Sequence, residues 1–438
     1  MKRLLLSYIM LCFALMVSDG FYNRLALLFM VASYVMLLAA AWVFYRGQQS
    51  VDQPNSSVLL GILLLSCGLW LVVPVIGFDR SPLYENLTVS AGSIAMVGVL
   101  LGYLLRSRWP RFGKAVFLLV ALIPLVVWFL IPRVLPVQGV DVYFFHQRAA
   151  ALVGEGVNPY SVIIGTPYNF IKPIGYTYPP ANLYPLAIAY YLTGDVRWGQ
   201  AVLMAATAVL LWLVARRTVG GVESELIPLI FLYHPRGILV LDYSFNETII
   251  IFPFALFIYL FIYRWSPAAT AFVYGIFVSL KPYLAFLFLP WLIIERRPRN
   301  FLFALCGILV PLIPFISSDF KGTIYGGFLF VLQNVPFRAD SLSVSSLLFE
   351  LCGKCSVSWA GLSLPVGVLA AVCTFLFFRN RPSLTSHLYA STIVMFSVFL
   401  LGSLAFVGYY YLVSVMILFL IPVVLQQRDG VTEREAKS

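Results

Sequence analysis

Apolar runs of membrane-helix length, separated by short polar breaks, account for most of this chain. They lie near residues 4–18, 24–45, 58–78, 87–105 and 115–132, then near 197–215, 225–241, 247–263, 267–280, 282–295, 300–316, 358–378, 387–404 and 408–426. A bilayer crossing takes roughly 20 apolar residues in a helix, so the pattern predicts an all-α polytopic membrane protein with about fourteen spans. The pair 267–280 and 282–295 is short for a crossing, since a helix of about 14 residues rises only ~21 Å, against ~30 Å of hydrocarbon. One long helix kinked at Pro282 is the rival, but it would leave Lys281 near the bilayer centre at a cost of ~2.5–3.5 kcal/mol. Two short helices put Lys281 near the outer edge.

The basic residues set the orientation. Lys2-Arg3, Arg46 and the group Arg106, Arg108, Arg111 and Lys114 occupy alternate ends of the first runs, and Arg216-Arg217, Arg264, Arg296-Arg297-Arg299, Arg379, Arg381 and Arg428 continue the alternation. The positive-inside tendency places these groups and both termini in the cytoplasm, with Asp141 outside. The assignment requires that the short run 181–193 does not cross, which makes it a re-entrant or interfacial helix. Lys2-Arg3 followed by an apolar stretch resembles a signal peptide, yet the residues before Asp19 lack a small-x-small cleavage pattern, so a retained first helix is expected.

Composition narrows the class. With 61% hydrophobic and 11% charged residues the chain is no soluble globule, in which about 25% charged is usual. A net charge of +11 in one patch would suit nucleic acid. Spread over the ends of apolar runs it fits lipid headgroups and topology instead, and no nucleic-acid partner is expected.

Polar chemistry collects beyond the fifth run. Asp141-Val142-Tyr143-Phe144-Phe145-His146-Gln147-Arg148 opens a long outer loop, 133–196, and ionisable groups at the edge of hydrocarbon are costly unless water, a partner or a substrate meets them. Gly156-Val157-Asn158-Pro159-Tyr160 and Gly175-Tyr176-Thr177-Tyr178-Pro179-Pro180 follow in the same loop. The turn Asp242-Tyr243-Ser244-Phe245-Asn246-Glu247, the bend Lys281-Pro282-Tyr283 and the outer loop 317–357, with Lys321, Gln333-Asn334 and Arg338, are expected on the same face. Loops beyond about 15 residues are usually functional or disordered, and the aromatic residues and Pro of the first argue for order.

These elements resemble a glycosyltransferase of the GT-C superfamily, and within it family 87, the polyprenyl-phosphate-mannose-dependent group. The resemblance rests on Asp141 at the start of the first long external loop, the G-x-[DN]-P-Y element at Gly156 to Tyr160, and the Y-x-Y-P-P element at Tyr176 to Pro180. It rests also on the polar turn ending in Asn246-Glu247 and on G-x-x-x-x-L-K-P from Gly275 to Pro282. It covers about residues 115–425. Residues 1–114 then read as an additional N-terminal module of about four spans, 115–426 as the GT-C-like catalytic region, and 427–438 as a cytoplasmic polar tail. Such families commonly open their acidic loop after the first span and carry Gly-Gln-x-Asn where this chain has the 242–247 turn.

The resemblance implies inverting transfer of a hexose, mannose by preference, from a polyprenyl-phosphate donor to a lipid or glycan hydroxyl at the non-cytoplasmic face. The lipid-linked sugar is a co-substrate, no cofactor is expected, and membrane lipids are the other partners. A phosphate leaving group needs no proton, so one carboxylate acting as base on the acceptor suffices, and Asp141 takes that role. Cations hold the phosphate as charge develops: Lys281, ranked first as a lone Lys inside an apolar run, with Arg236, Arg148 and Arg338. His146 would orient Asp141 or touch the sugar. Tyr143, Tyr160, Tyr176 and Tyr178 would stack on a sugar face, with Asn158, Asn246 and Glu247 as further substrate contacts.

Each has a plainer alternative. Asp141 is also suited to cap a helix or pair with Arg133 or Arg148, and His146 to be a satisfied interfacial residue. His234 and Arg236 flank Pro235, which breaks the helix and opens a polar bend. Glu247 is placed to cap the next span, and interfacial tyrosines often only anchor. Metal binding is not expected, because the three His residues are far apart and one C-x-x-C, Cys352 and Cys355, is too little for structural zinc. A disulfide there is the better expectation. No Walker loop, dinucleotide fingerprint or G-x-S-x-G stands in a suitable context. The rival classes are a transporter or flippase of lipid-linked sugars, which would gather polar groups near the midplane, and an O-antigen-type polymerase or ligase, leaning on external Arg and His.

Overall fold

A computed structural model describes residues 1–18, 20–47, 56–72, 82–135, 140–164, 175–334, 337–353 and 359–435. Among the described residues there is no β-strand beyond a bridge between Phe21 and Ser341, and the secondary structure is otherwise helical. Helices α1 (Lys2–Ser18) and α2 (Arg24–Arg46) form an antiparallel hairpin. It is closed by two serines that donate reciprocally, Ser7 Oγ to the Ser33 carbonyl at 2.9 Å and Ser33 Oγ to the Ser7 carbonyl at 2.7 Å. In hydrocarbon such small polar residues let helices approach and satisfy each other. Next come α3 (Ser56–Val72), α4 (Pro82–Arg108) and α5 (Pro110–Val134).

After α6 (Asp141–Gly154), α7 (Leu183–Thr193) and α8 (Arg197–Thr218), the chain continues through α9 (Glu223–Leu232), α10 (Gly237–Asp242), α11 (Glu247–Ile262) and α12 (Pro267–Ser279). Short pieces follow: α13 (Phe288–Trp291), α14 (Pro298–Leu309), α15 (Ile313–Ile316), α16 (Phe320–Ile324), α17 (Phe330–Asn334) and α18 (Val344–Leu351). The last three helices are α19 (Trp359–Phe378), α20 (Leu384–Leu401) and α21 (Val407–Glu435).

Among the described residues, seven helices are long and apolar enough to cross a membrane: α2, α4, α5, α8, α19, α20 and α21. The apolar windows of α20 and α21 are 94% buried, against 28–44% for the other five, so this pair forms the centre and the others surround it. The outward face of that surround carries Leu104, Phe112, Leu118 and Leu119, all more than half exposed. An apolar exterior of this kind suits lipid and not water.

The structure interrupts three expected spans. The run 225–241 is broken between α9 and α10 at Tyr233–Arg236, where Pro235 cannot donate an N–H. The run 282–295 is a 3-10 turn, Pro282–Leu287, followed by the short α13, and 300–316 divides into α14 and α15. The alternative of one helix kinked at Pro282 is also corrected: Lys281 is extended (φ −150°, ψ 145°), as the residue before a proline prefers, so the chain turns there. Gly275, in the G-x-x-x-x-L-K-P element, faces the backbone of α14, where a Cβ would stand 2.0 Å from the Ala304 carbonyl oxygen. That contact brings the α12 end and Lys281 against the bundle.

Cys352 is disulfide-bonded, its expected partner Cys355 lies outside the described residues, and Cys12, Cys67, Cys306 and Cys373 are free thiols. Parts of the loops 133–196 and 317–357, namely 136–139, 165–174, 335–336 and 354–358, also lie outside the described residues. Helix α21 continues to Glu435, so most of the expected polar tail is helical.

Candidate functional site

Asp141 is the first residue of α6, entered from an extended Val140, and its Oδ1 accepts the Val142 N–H at 2.8 Å. Burial pushes its pKa above the ordinary carboxylate value, while the Val142 amide and the positive charge of Arg338 pull the other way. Among the described residues its carboxylate has no ion pair, which removes the expected alternative of pairing with Arg133 or Arg148.

His146 is fully buried one to two turns further along α6. Its Nε2 stands 3.1 Å from Asn246 Oδ1 and its Nδ1 2.8 Å from the Tyr176 hydroxyl. Burial drives its pKa down to about 3, so the ring is neutral. A carboxamide oxygen only accepts, so Nε2 carries the proton and Nδ1 accepts from Tyr176. Both nitrogens are therefore engaged, and the expected direct contact to Asp141 is replaced by a tie between α6, the Y-x-Y-P-P segment and the 242–247 turn. Tyr178 packs on the same ring at 5.0 Å between centroids. Its own pKa is raised well above the usual value, by burial first and then by the charge of Asp141.

The turn that delivers Asn246 and Glu247 is held by a strained residue. Ser244 has φ 57°, rare for a residue with a side chain, and its Oγ donates to Gln200 Oε1 at 2.8 Å. Gln200 Nε2 donates onward to the Phe245 carbonyl at 3.3 Å. Glu247, fully buried, accepts from Lys281 Nζ at 2.6 Å and from the Tyr283 hydroxyl at 2.9 Å. The Lys281 ammonium lies 4.6 Å from the Tyr409 ring centroid and 5.4 Å from that of Tyr283. Asn182 joins the Y-x-Y-P-P segment to this bend by donating to the Leu280 carbonyl at 2.8 Å. Arg338 pairs in bidentate fashion with Asp340 at 2.8 and 2.6 Å and senses the charges of Asp141 and Tyr409.

Other expected residues serve elsewhere. Arg148 is half exposed and pairs with Glu155 at 3.5 Å. Arg236 is buried and donates to the Leu15 and Met16 carbonyls, at 3.2 and 3.1 Å, at the end of α1. Tyr143 turns toward Asp195 and carries the Arg197 guanidinium over its ring at 5.1 Å. Asn158 Nδ2 donates to the Phe315 carbonyl at 3.1 Å and Ser318 Oγ at 2.7 Å, and the Tyr160 hydroxyl donates to the Tyr178 carbonyl, so both brace the loop. Sequence reasoning missed Tyr409 and Tyr283 as walls for Lys281, and missed the buried Arg197 between Asp195 and Asp242. The run Gly408-Tyr409-Tyr410-Tyr411 at the mouth of the last apolar run was the available signal for the first.

Among the described residues no group of three or more His, Cys, Asp or Glu side chains is placed to hold a metal ion. No family model, curated protein or solved structure matches the chain. The likeness to family 87 thus rests on the motifs themselves.

Proposed function

We propose that the protein is an inverting membrane glycosyltransferase that moves a hexose, mannose by preference, from a polyprenyl-phosphate carrier to a lipid or glycan hydroxyl. The observation that carries this reading is that α6, which opens on an Asp141 without an ion pair among the described residues, is tied through His146 to Asn246, whose neighbour Glu247 pairs with Lys281, while Asp141 feels the charge of Arg338, about two hundred residues away. In the step proposed, the acceptor oxygen attacks the anomeric carbon as its proton passes to Asp141. The bond from that carbon to the phosphate oxygen breaks, and its electron pair leaves on the polyprenyl phosphate through an oxocarbenium-like transition state. Lys281 and Arg338 hold the departing phosphate. A carboxyl raised by burial is the better base near neutral pH.

In this reading the shorter and the interrupted apolar runs cross as well as the seven long helices, giving about fourteen spans, with the site outside and the termini in the cytoplasm. The test is transfer of labelled sugar from polyprenyl-phosphate-mannose and its glucose analogue to membrane lipid, wild type against Asp141→Asn at matched expression. Transfer that depends on Asp141 is the expected result. Equal transfer by both proteins would sink the base assignment, and well-folded wild type that consumes neither donor would favour the transporter class.

A further inference from the structure

The short connection between α1 and α2, residues 20–24, reaches Arg338 from two sides. The Tyr22 N–H donates to the Asp340 carbonyl at 2.8 Å, and Phe21 bridges Ser341 in antiparallel fashion. Asp340 is the bidentate partner of Arg338. The Phe21 ring meets Phe406 edge-on at 5.7 Å, and Phe406 is the ring over which the Arg338 guanidinium lies at 4.8 Å. Gly20 makes the approach feasible. Its φ is +80°, and a Cβ there would stand 2.1 Å from the Val407 backbone nitrogen, at the start of the helix that carries Tyr409. Thus the in-plane partner and the stacking face of Arg338 are both gripped by one segment of the region that the motifs set apart as additional.

We infer that the α1–α2 connection is a positioning element for Arg338, and that the N-terminal helices thereby take part in holding the anionic group of the donor. The inference rests on the proposed function, in which Arg338 meets a phosphate. A guanidinium stacked on a ring and paired in its plane loses little freedom on binding an anion, whereas a free one must be ordered first. Phe21 is 52% exposed, so truncating it removes the edge contact with little loss of packed core.

Binding of undecaprenyl phosphate to the purified full chain in detergent provides the test, with unfolding midpoints as the check on folding. Arg338→Gln is expected to weaken binding about tenfold or more, as a lost charged contact does. Phe21→Ala is expected to weaken it about fivefold, the order of coupling between touching neighbours. Phe21→Tyr keeps the ring and should bind as the wild type does. In the Arg338→Gln background, Phe21→Ala should add no further loss. Unchanged binding by Phe21→Ala, or an equal loss in both backgrounds, overturns the positioning role while leaving the function standing. Wild-type binding by Arg338→Gln, or no binding by the wild type, overturns the donor-phosphate reading and the inference with it.

Discussion

Two ionic clusters hang from neighbouring elements, and they are built differently. Arg197 is closely held: its Nε and Nη2 reach Asp195, Nη1 reaches Asp242 at 3.0 Å, Nη2 also donates to the Leu135 carbonyl at 3.4 Å, and the Tyr143 ring lies against it. One cation thus sits between two carboxylates, joining the start of α8 to the end of α10. Asp141 has only its neighbour's amide, and Lys281 gives one hydrogen bond to Glu247 and otherwise faces aromatic rings. The first cluster is a structural tie in which four of the five guanidinium N–H groups are taken up by protein. The second keeps Asp141 out of any ion pair among the described residues, with Lys281 and Arg338 each tied to one carboxylate, and it is the cluster to which the proposed chemistry is assigned.

The sharpest way to break this contrast is to alter one residue of each cluster. Asp141→Asn should lower sugar transfer by about 10²- to 10⁴-fold, the usual contribution of a general base, with no fall in unfolding midpoint. Arg197→Ala should do the reverse. Removing one partner of a buried ion cluster costs about 3–5 kcal/mol, so folded yield and midpoint in detergent should drop first. An Arg197→Ala protein that folds normally yet is inactive would move the chemistry to the wrong cluster and end the distinction.

A smaller effect concerns pH. A base works only when deprotonated, so kcat/KM should fall on the acid side through an ionisation above the ordinary carboxylate range, as burial of Asp141 dictates. Arg338 opposes that rise, so Arg338→Gln should move the limb to higher pH. A limb that moves to lower pH, or stays, would mean that Arg338 does not act on Asp141. His146, neutral down to about 3, should add no limb of its own near neutrality. The smallest effect expected is for Arg148→Ala, whose exposed pair with Glu155 should change stability by less than about 0.5 kcal/mol and leave transfer unaltered.

Much of the site was legible. Asp141, Tyr178, Asn246, Glu247, Lys281 and Arg338 stand out in the chain because polar residues beside apolar runs need a reason, and in the structure Asn246 joins His146, Glu247 pairs with Lys281, and Asp141 feels the charge of Arg338. Arg236 and Arg148 carry the same charge and the same kind of flanking sequence, yet one closes the end of α1 and the other lies on an exposed face of α6. Nothing local separates these cases, since the decisive partners, Leu15 and Met16 for Arg236, lie more than two hundred positions away.

By itself the sequence determined that the chain is helical and belongs in a membrane, because long apolar runs without charges have no other stable setting. It also determined where polar breaks fall, since Pro, Gly and paired basic residues act on their own stretch of backbone. Only the tertiary structure decided which carboxylate each cation meets, that His146 is neutral and bonded through both ring nitrogens, and that the segment between α1 and α2 holds the partners of Arg338. Those outcomes depend on burial and on contacts between distant segments, whose energies appear only when the helices pack.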